Sequence, residues 1–80
     1  MKRFLHLLVN PVTEQALEAI ARQAGRPDAS TMVVLGPNVP APPFPEGVEA
    51  YRLGGDDGLP AIDHRRLLEL IFAADTVVTW

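Results

Sequence analysis

Five of the chain's eight prolines fall between Gly36 and Gly47. Proline lacks the N–H that a helix needs and clashes with the preceding turn, so these twelve residues cannot form a regular helix. The stretch reads as an extended, partly polyproline-like connection. On each side of it the pattern is strand, helix, strand. The chain has 80 residues, 48% hydrophobic and 21% charged. That bounds it to one small domain over residues 1–80, without internal repeats. It is too apolar for a disordered segment and too charged for a membrane protein.

Before the proline-rich link, residues 3–9 form a nearly continuous apolar run without strict alternation. Such a run reads as a strand buried on both faces, as in a parallel sheet. Asn10-Pro11 ends it. Asn10 is one candidate cap for the next helix, with Pro11 at its first position; Thr13 is the competing cap. Ala16, Leu17, Ile20, Ala21 and Ala24 recur at helical spacing, which predicts a helix over 12–24. Gly25 and Pro27 stop it. Thr31 to Leu35 is the second strand, ended by Gly36.

After the link, Val48 to Leu53 is a third strand. Gly54-Gly55-Asp56-Asp57-Gly58 reads as a flexible acidic turn. Asp63 is a candidate cap for a helix over 64–74, whose broad apolar face carries Leu67, Leu68, Leu70 and Ile71. Thr76 to Trp80 is a final strand. The order β-α-β-β-α-β predicts an α/β domain, with a mainly parallel four-stranded sheet and helices packed on it. The middle link leaves two arrangements open. If it crosses the first strand, the spatial order is second, first, third, fourth, the favoured arrangement. If it does not, the second and third strands pair as a hairpin.

There is no cysteine. A disulfide framework, a thiolate zinc site and a thiol nucleophile on this chain are thereby excluded. The net charge of −3 is not the basic excess of a nucleic-acid binder, so no direct nucleic-acid contact is expected. Residues 1–40 carry a net +1 and residues 41–80 a net −4. Met1-Lys2-Arg3 imitates the head of a signal peptide, but the apolar run after it is too short for a signal core. No stretch reaches the roughly 20 apolar residues of a membrane helix. A cytoplasmic protein is expected.

Candidate reactive groups are few. His6 lies within the first strand, and His64, the other histidine, opens the second helix 58 positions away, without metal-ligand spacing. His6 reads as a structural residue, His64 as a surface or capping residue. Ser30 has no glycine elbow around it, and Thr13 serves better as a cap than as a nucleophile. The Asp56-Asp57 turn has no phosphate-binding lysine and is a weak cage for a hard cation. Arg65-Arg66 reads as a solvated face. No catalytic residue, cofactor or metal is therefore expected. Ligands of open parallel sheets bind at the carboxyl ends of the strands. That makes Asn10, Pro11, Gly36 and Asn38 the candidate pocket. Phe44, in the link, and Trp80 are large apolar groups in usually exposed places. Each is a candidate interface anchor or an internal cover for the core.

Several segments resemble one family. Leu5-His6, a proline soon after, and a leucine/alanine-rich helix are similar to the opening of DsrH/TusB-type proteins. Gly47-Val48-Glu49-Ala50-Tyr51-Arg52-Leu53, leading to Asp56-Asp57 and Gly58, resembles that family's third strand and turn. Ile62-Asp63-His64, Leu67 to Leu70, and Val77-Val78-Thr79-Trp80 resemble its closing segment with a final tryptophan. The resemblance covers nearly the whole chain, with a shortening after the third strand. It implies a small α/β fold with a parallel sheet. It also implies membership of hetero-oligomers of DsrE/DsrF/DsrH type, which pass persulfide sulfur between cysteines in tRNA 2-thiolation or sulfur oxidation. Here Asn10-Pro11-Val12-Thr13 occupies the loop where some relatives carry a cysteine. What the resemblance leaves is a non-catalytic subunit supporting cysteine-bearing partners. The alternative is a stand-alone homo-oligomer, such as a homodimer, that binds a small ligand at the strand ends.

Overall fold

The computed structural model describes residues 2–54 and 58–80. Their elements are β1 (Lys2–Leu8), α1 (Glu14–Ala24), β2 (Ala29–Leu35), β3 (Val48–Leu53), β4 (Ala61–Ile62), α2 (His64–Ala73) and β5 (Thr76–Thr79). All strand pairs are parallel, in the spatial order β4-β3-β2-β1-β5. The domain is therefore an α/β domain with a parallel sheet. The acidic residues Asp56 and Asp57 lie outside the described residues.

The two apolar faces of the sheet explain the layers. On one face Leu8, Val33 and Leu35 pack with Ile20 of α1. On the other, Leu5, Met32 and Val34 pack with Leu70 of α2. β1 and β2 supply both cores, as their continuous apolar runs require. Leu5, Leu8, Ile20 and Leu35 are completely buried, each contributing about 1.5–3 kcal/mol of transfer free energy. Thr13, not Asn10, caps α1: its hydroxyl accepts from the Ala16 N–H at 3.1 Å. Asp63 caps α2 by accepting from the Arg66 N–H at 2.8 Å.

The strand order corrects both arrangements expected from the sequence. β3 lies beside β2, so the link does not cross β1, yet the two strands run parallel and form no hairpin. Twelve extended residues at about 3.1 Å each span roughly 37 Å. A six-residue strand needs about 20 Å, so the link can return to the start of the sheet without a helix. It does so over the α1 face, where Phe44 and Val39 join the core of Leu8 and Ile20. Gly47 closes the link at φ +92°, a backbone conformation glycine adopts without strain.

A fifth strand, β4, was not expected. It has two residues between Pro60 and Asp63, too few to show an alternating pattern. From it, α2 carries the chain back over the second face to β5, beside β1. Travel is one way over the first face and the opposite way over the second. The crossovers through α1, through the proline-rich link and through α2 therefore have the same hand, as parallel sheets demand.

Candidate functional site

The topology places a switch point at β1. Its connection to β2 passes over one face, and β5 arrives on its other side from the opposite face. Crevices of this kind at the carboxyl end of a sheet are where α/β proteins bind ligands. Here the crevice between β1 and β5 is bridged. Asn10 Nδ2 donates to the Trp80 carbonyl at 3.1 Å, and the Trp80 N–H donates to the Leu7 carbonyl at 2.9 Å.

Beneath that bridge, His6 is 1% exposed. Its Nδ1 accepts from the Trp80 indole Nε1 at 2.9 Å, and its Nε2 hydrogen-bonds the Gln23 Oε1. An indole N–H only donates and an amide oxygen only accepts. Together they fix neutral His6 as the tautomer with its proton on Nε2. The His6 and Trp80 rings lie side by side in nearly one plane, 16° from parallel with centroids 6.2 Å apart, as an in-plane N–H···N bond requires. Both imidazole nitrogens have partners within the chain. Trp80 lies half-buried against the α1-side core, and so does Phe44.

Open space lies one strand further along the carboxyl edge. A cavity of about 380 Å³ is lined by Val9, Pro11, Gly36, Pro37, Asn38, Val39 and Leu53. The structure thus brings Pro11, Gly36 and Asn38 together, while Asn10 turns away to Trp80. The wall is mostly apolar. Val9, on that wall, is 58% exposed. A second depression continues from Pro37 and Leu53 to Ile62, Asp63 and His64 at the start of α2.

Sequence reasoning missed the residue that shapes this edge. Arg52, on β3, is 5% exposed. Its guanidinium donates to the carbonyls of Gly36 and Val39, pinning the turn that follows β2. The Gly36 carbonyl also accepts from the Val39 N–H at 3.2 Å, so the guanidinium adds a second donor there and supplies one to Val39; leaving a buried acceptor without its donor costs about 1–3 kcal/mol. A signal was present: Val48, Ala50 and Arg52 alternate onto one face of the strand, so the arginine falls in line with inward apolar positions.

The other candidates are dispersed. Ser30 lies at the amino end of the sheet, in a cleft with Arg3, Glu49, Arg66 and Glu69. His64 is exposed at the first position of α2. Arg66 forms an exposed pair with Glu69 at 3.2 Å, and Arg65 is also exposed. Among the described residues, no group of three or more His, Asp or Glu is placed to hold a metal ion. No helix among them is long and apolar enough to cross a membrane. No family model, curated protein or solved structure matches this chain.

Proposed function

We propose that this protein is a non-catalytic subunit of a cytoplasmic sulfur-relay complex of DsrE/DsrF/DsrH type. In it, cysteine-bearing partners pass the persulfide and this chain holds the assembly together. The observation that carries the reading is the filling of the sheet's switch point by the chain's own Asn10, Trp80 and His6. With His6 engaged on both sides and no thiol in the sequence, sulfur has no acceptor atom here. The parallel α/β sheet supports the same reading, being the fold that the resemblance implies. The pathway served is tRNA 2-thiolation or sulfur oxidation.

The test is reconstitution with the small cysteine-bearing chains of the same host. Persulfide transfer between them, followed by alkylation and mass spectrometry, should depend on this protein while the sulfur never resides on it. Transfer that proceeds equally well without it, and without binding it, overturns the proposal.

The cavity at Val9, Pro11, Gly36, Asn38 and Leu53 favours one alternative, a stand-alone homo-oligomer that takes a small apolar ligand there. An Asn38→Trp substitution, which fills the cavity mouth, separates the two. It abolishes uptake of a small apolar dye if the cavity is a ligand site. It leaves assembly with partners intact if the relay reading holds.

A further inference from the structure

The buried histidine of β1 and the tryptophan that covers it constrain one another's protons. His6 is 1% exposed, and its two ring nitrogens meet one acceptor, Gln23 Oε1, and one donor, the Trp80 indole N–H. An indole N–H is a donor only. The ring therefore keeps both bonds only while Nδ1 carries no hydrogen. A proton added to neutral His6 goes to Nδ1, the one nitrogen with a lone pair. It would set two N–H groups head to head across 2.9 Å, where a hydrogen bond now stands. The imidazolium and the seated indole exclude each other.

The charged groups on the surrounding elements lie elsewhere. In the sheet, His6 is flanked by Val33 of β2 and Val78 of β5. Above it, α1 turns Ile20 and Gln23 to the sheet, while Glu14, Glu18 and Arg22 are exposed. On the same face, Arg52 of β3 is engaged with the Gly36 and Val39 carbonyls. At the amino end of the sheet, Lys2, Arg26 and Asp28 are exposed. Trp80 carries its own main-chain carboxyl group, and the oxygen of it that is bonded accepts from Asn10.

Trp80 is also placed to move. It follows the last residue of β5 and is half-buried against the cluster of Leu8, Ile20, Val33 and Leu35. Those four lie on β1, α1 and β2, and the pairing of β1 with β2 does not run through Trp80. A residue at the end of an edge strand opens at lower cost than the fold as a whole.

We propose that Trp80 is an acid-released latch on the switch point of the sheet. As His6 takes up a proton, the indole swings out, Nδ1–H turns to water, and the crevice between β1 and β5 opens. Nε2 keeps its proton and its bond to Gln23, so the histidine stays in place. The latched chain holds the neutral ring and the open chain holds the cation, so opening takes up one proton. Falling pH drives it, by at most about tenfold in the ratio of open to latched chains per pH unit. The proposal rests on His6, Gln23 and Trp80 alone and is independent of the sulfur-relay reading.

Trp80 is the chain's one tryptophan, so tryptophan emission reports on the latch directly. The purified wild type is titrated from about pH 8 to about pH 4, a range that brackets ordinary imidazole titration. Emission should move to the red, and quenching by acrylamide should rise at least about twofold as the indole becomes accessible. Both should follow a one-proton curve while the far-ultraviolet spectrum and the amide protection of Leu5 and Val33 hold. Nitrogen NMR of the His6 ring should show the Nε2–H tautomer giving way to the doubly protonated form over the same interval. His64→Gln, at the other histidine, which is exposed, should leave the transition in place. His6→Gln should abolish it; if that variant does not fold, the wild-type ring nitrogens decide. Emission that stays constant, or changes only as the far-ultraviolet spectrum collapses, overturns the proposal. So does a transition that survives in folded His6→Gln, one lost in His64→Gln, or a His6 ring that becomes doubly protonated while the indole stays shielded.

Discussion

His6 spends both ring nitrogens on neighbours, and this is why a histidine is tolerated between Leu5 and Leu7 in the middle of the sheet. Replacing it by alanine opens a cavity and strands two polar partners. The predicted cost is about 2–4 kcal/mol, measured by urea denaturation followed by circular dichroism. Trp80→Phe removes the indole donor and part of the ring that packs on the α1-side core, and should cost about 1–3 kcal/mol, because one nitrogen of His6 loses its partner and apolar contact is lost with it. Thr31 is the reverse case. It is 2% exposed on β2, and its hydroxyl has no hydrogen-bond partner among the described residues. Valine has the same shape without the buried hydroxyl. Thr31→Val should therefore stabilise the fold by about 1 kcal/mol, read as a higher urea midpoint at constant m-value. An unchanged or lower midpoint would mean that the hydroxyl is satisfied.

At the scale of elements, the link between β2 and β3 decides the topology, and Arg52 is what holds it. Arg52→Met keeps most of the volume of the side chain but takes the guanidinium from the Val39 carbonyl and leaves the Gly36 carbonyl with the Val39 N–H alone. It should destabilise by about 2–4 kcal/mol. Amide exchange should loosen first in residues 36–39, before the rest of the sheet, as expected when one segment opens below the global unfolding energy. Uniform loosening would contradict the local role. The strands and helices themselves were legible: β1 and β2 as continuous apolar runs, α1 and α2 from spacing and caps. The order of β3 was not. Sequence periodicity reports which face a residue occupies, and nothing in Pro40 to Pro45 says whether an extended link returns beside its own strand or beyond the next. β4 was invisible because two residues carry no period. Part of the carboxyl-edge cavity was readable from the loop residues Pro11, Gly36 and Asn38. Val9, Val39 and Leu53 were not, since each looks like an ordinary core residue until neighbouring strands are fixed.

For the whole molecule, stability should depend on pH at the alkaline end. Burial raises the pKa of the Tyr51 phenol above its ordinary value of 10.0, and the neighbouring Glu49 carboxylate, which accepts from the phenol at 3.2 Å, adds to the effect. The folded chain then holds that proton more tightly than the unfolded chain. Its contribution is fully present below the ordinary tyrosine value and is lost as pH rises through the folded one. Wild type should lose stability across this alkaline range more steeply than Tyr51→Phe, with the two converging in slope at neutral pH. Equal slopes throughout would contradict the assignment.

On the proposed reading, this small parallel domain acts through what it joins and not through chemistry of its own. Native mass spectrometry of the tagged protein, purified gently from its own host, tests this most directly. A sulfur-relay subunit should emerge in a complex that contains two other small chains, at least one with a cysteine that alkylates. A lone monomer or a pure homodimer, with no such partner at any salt concentration, would contradict it and turn attention to the cavity beside Val9 and Asn38.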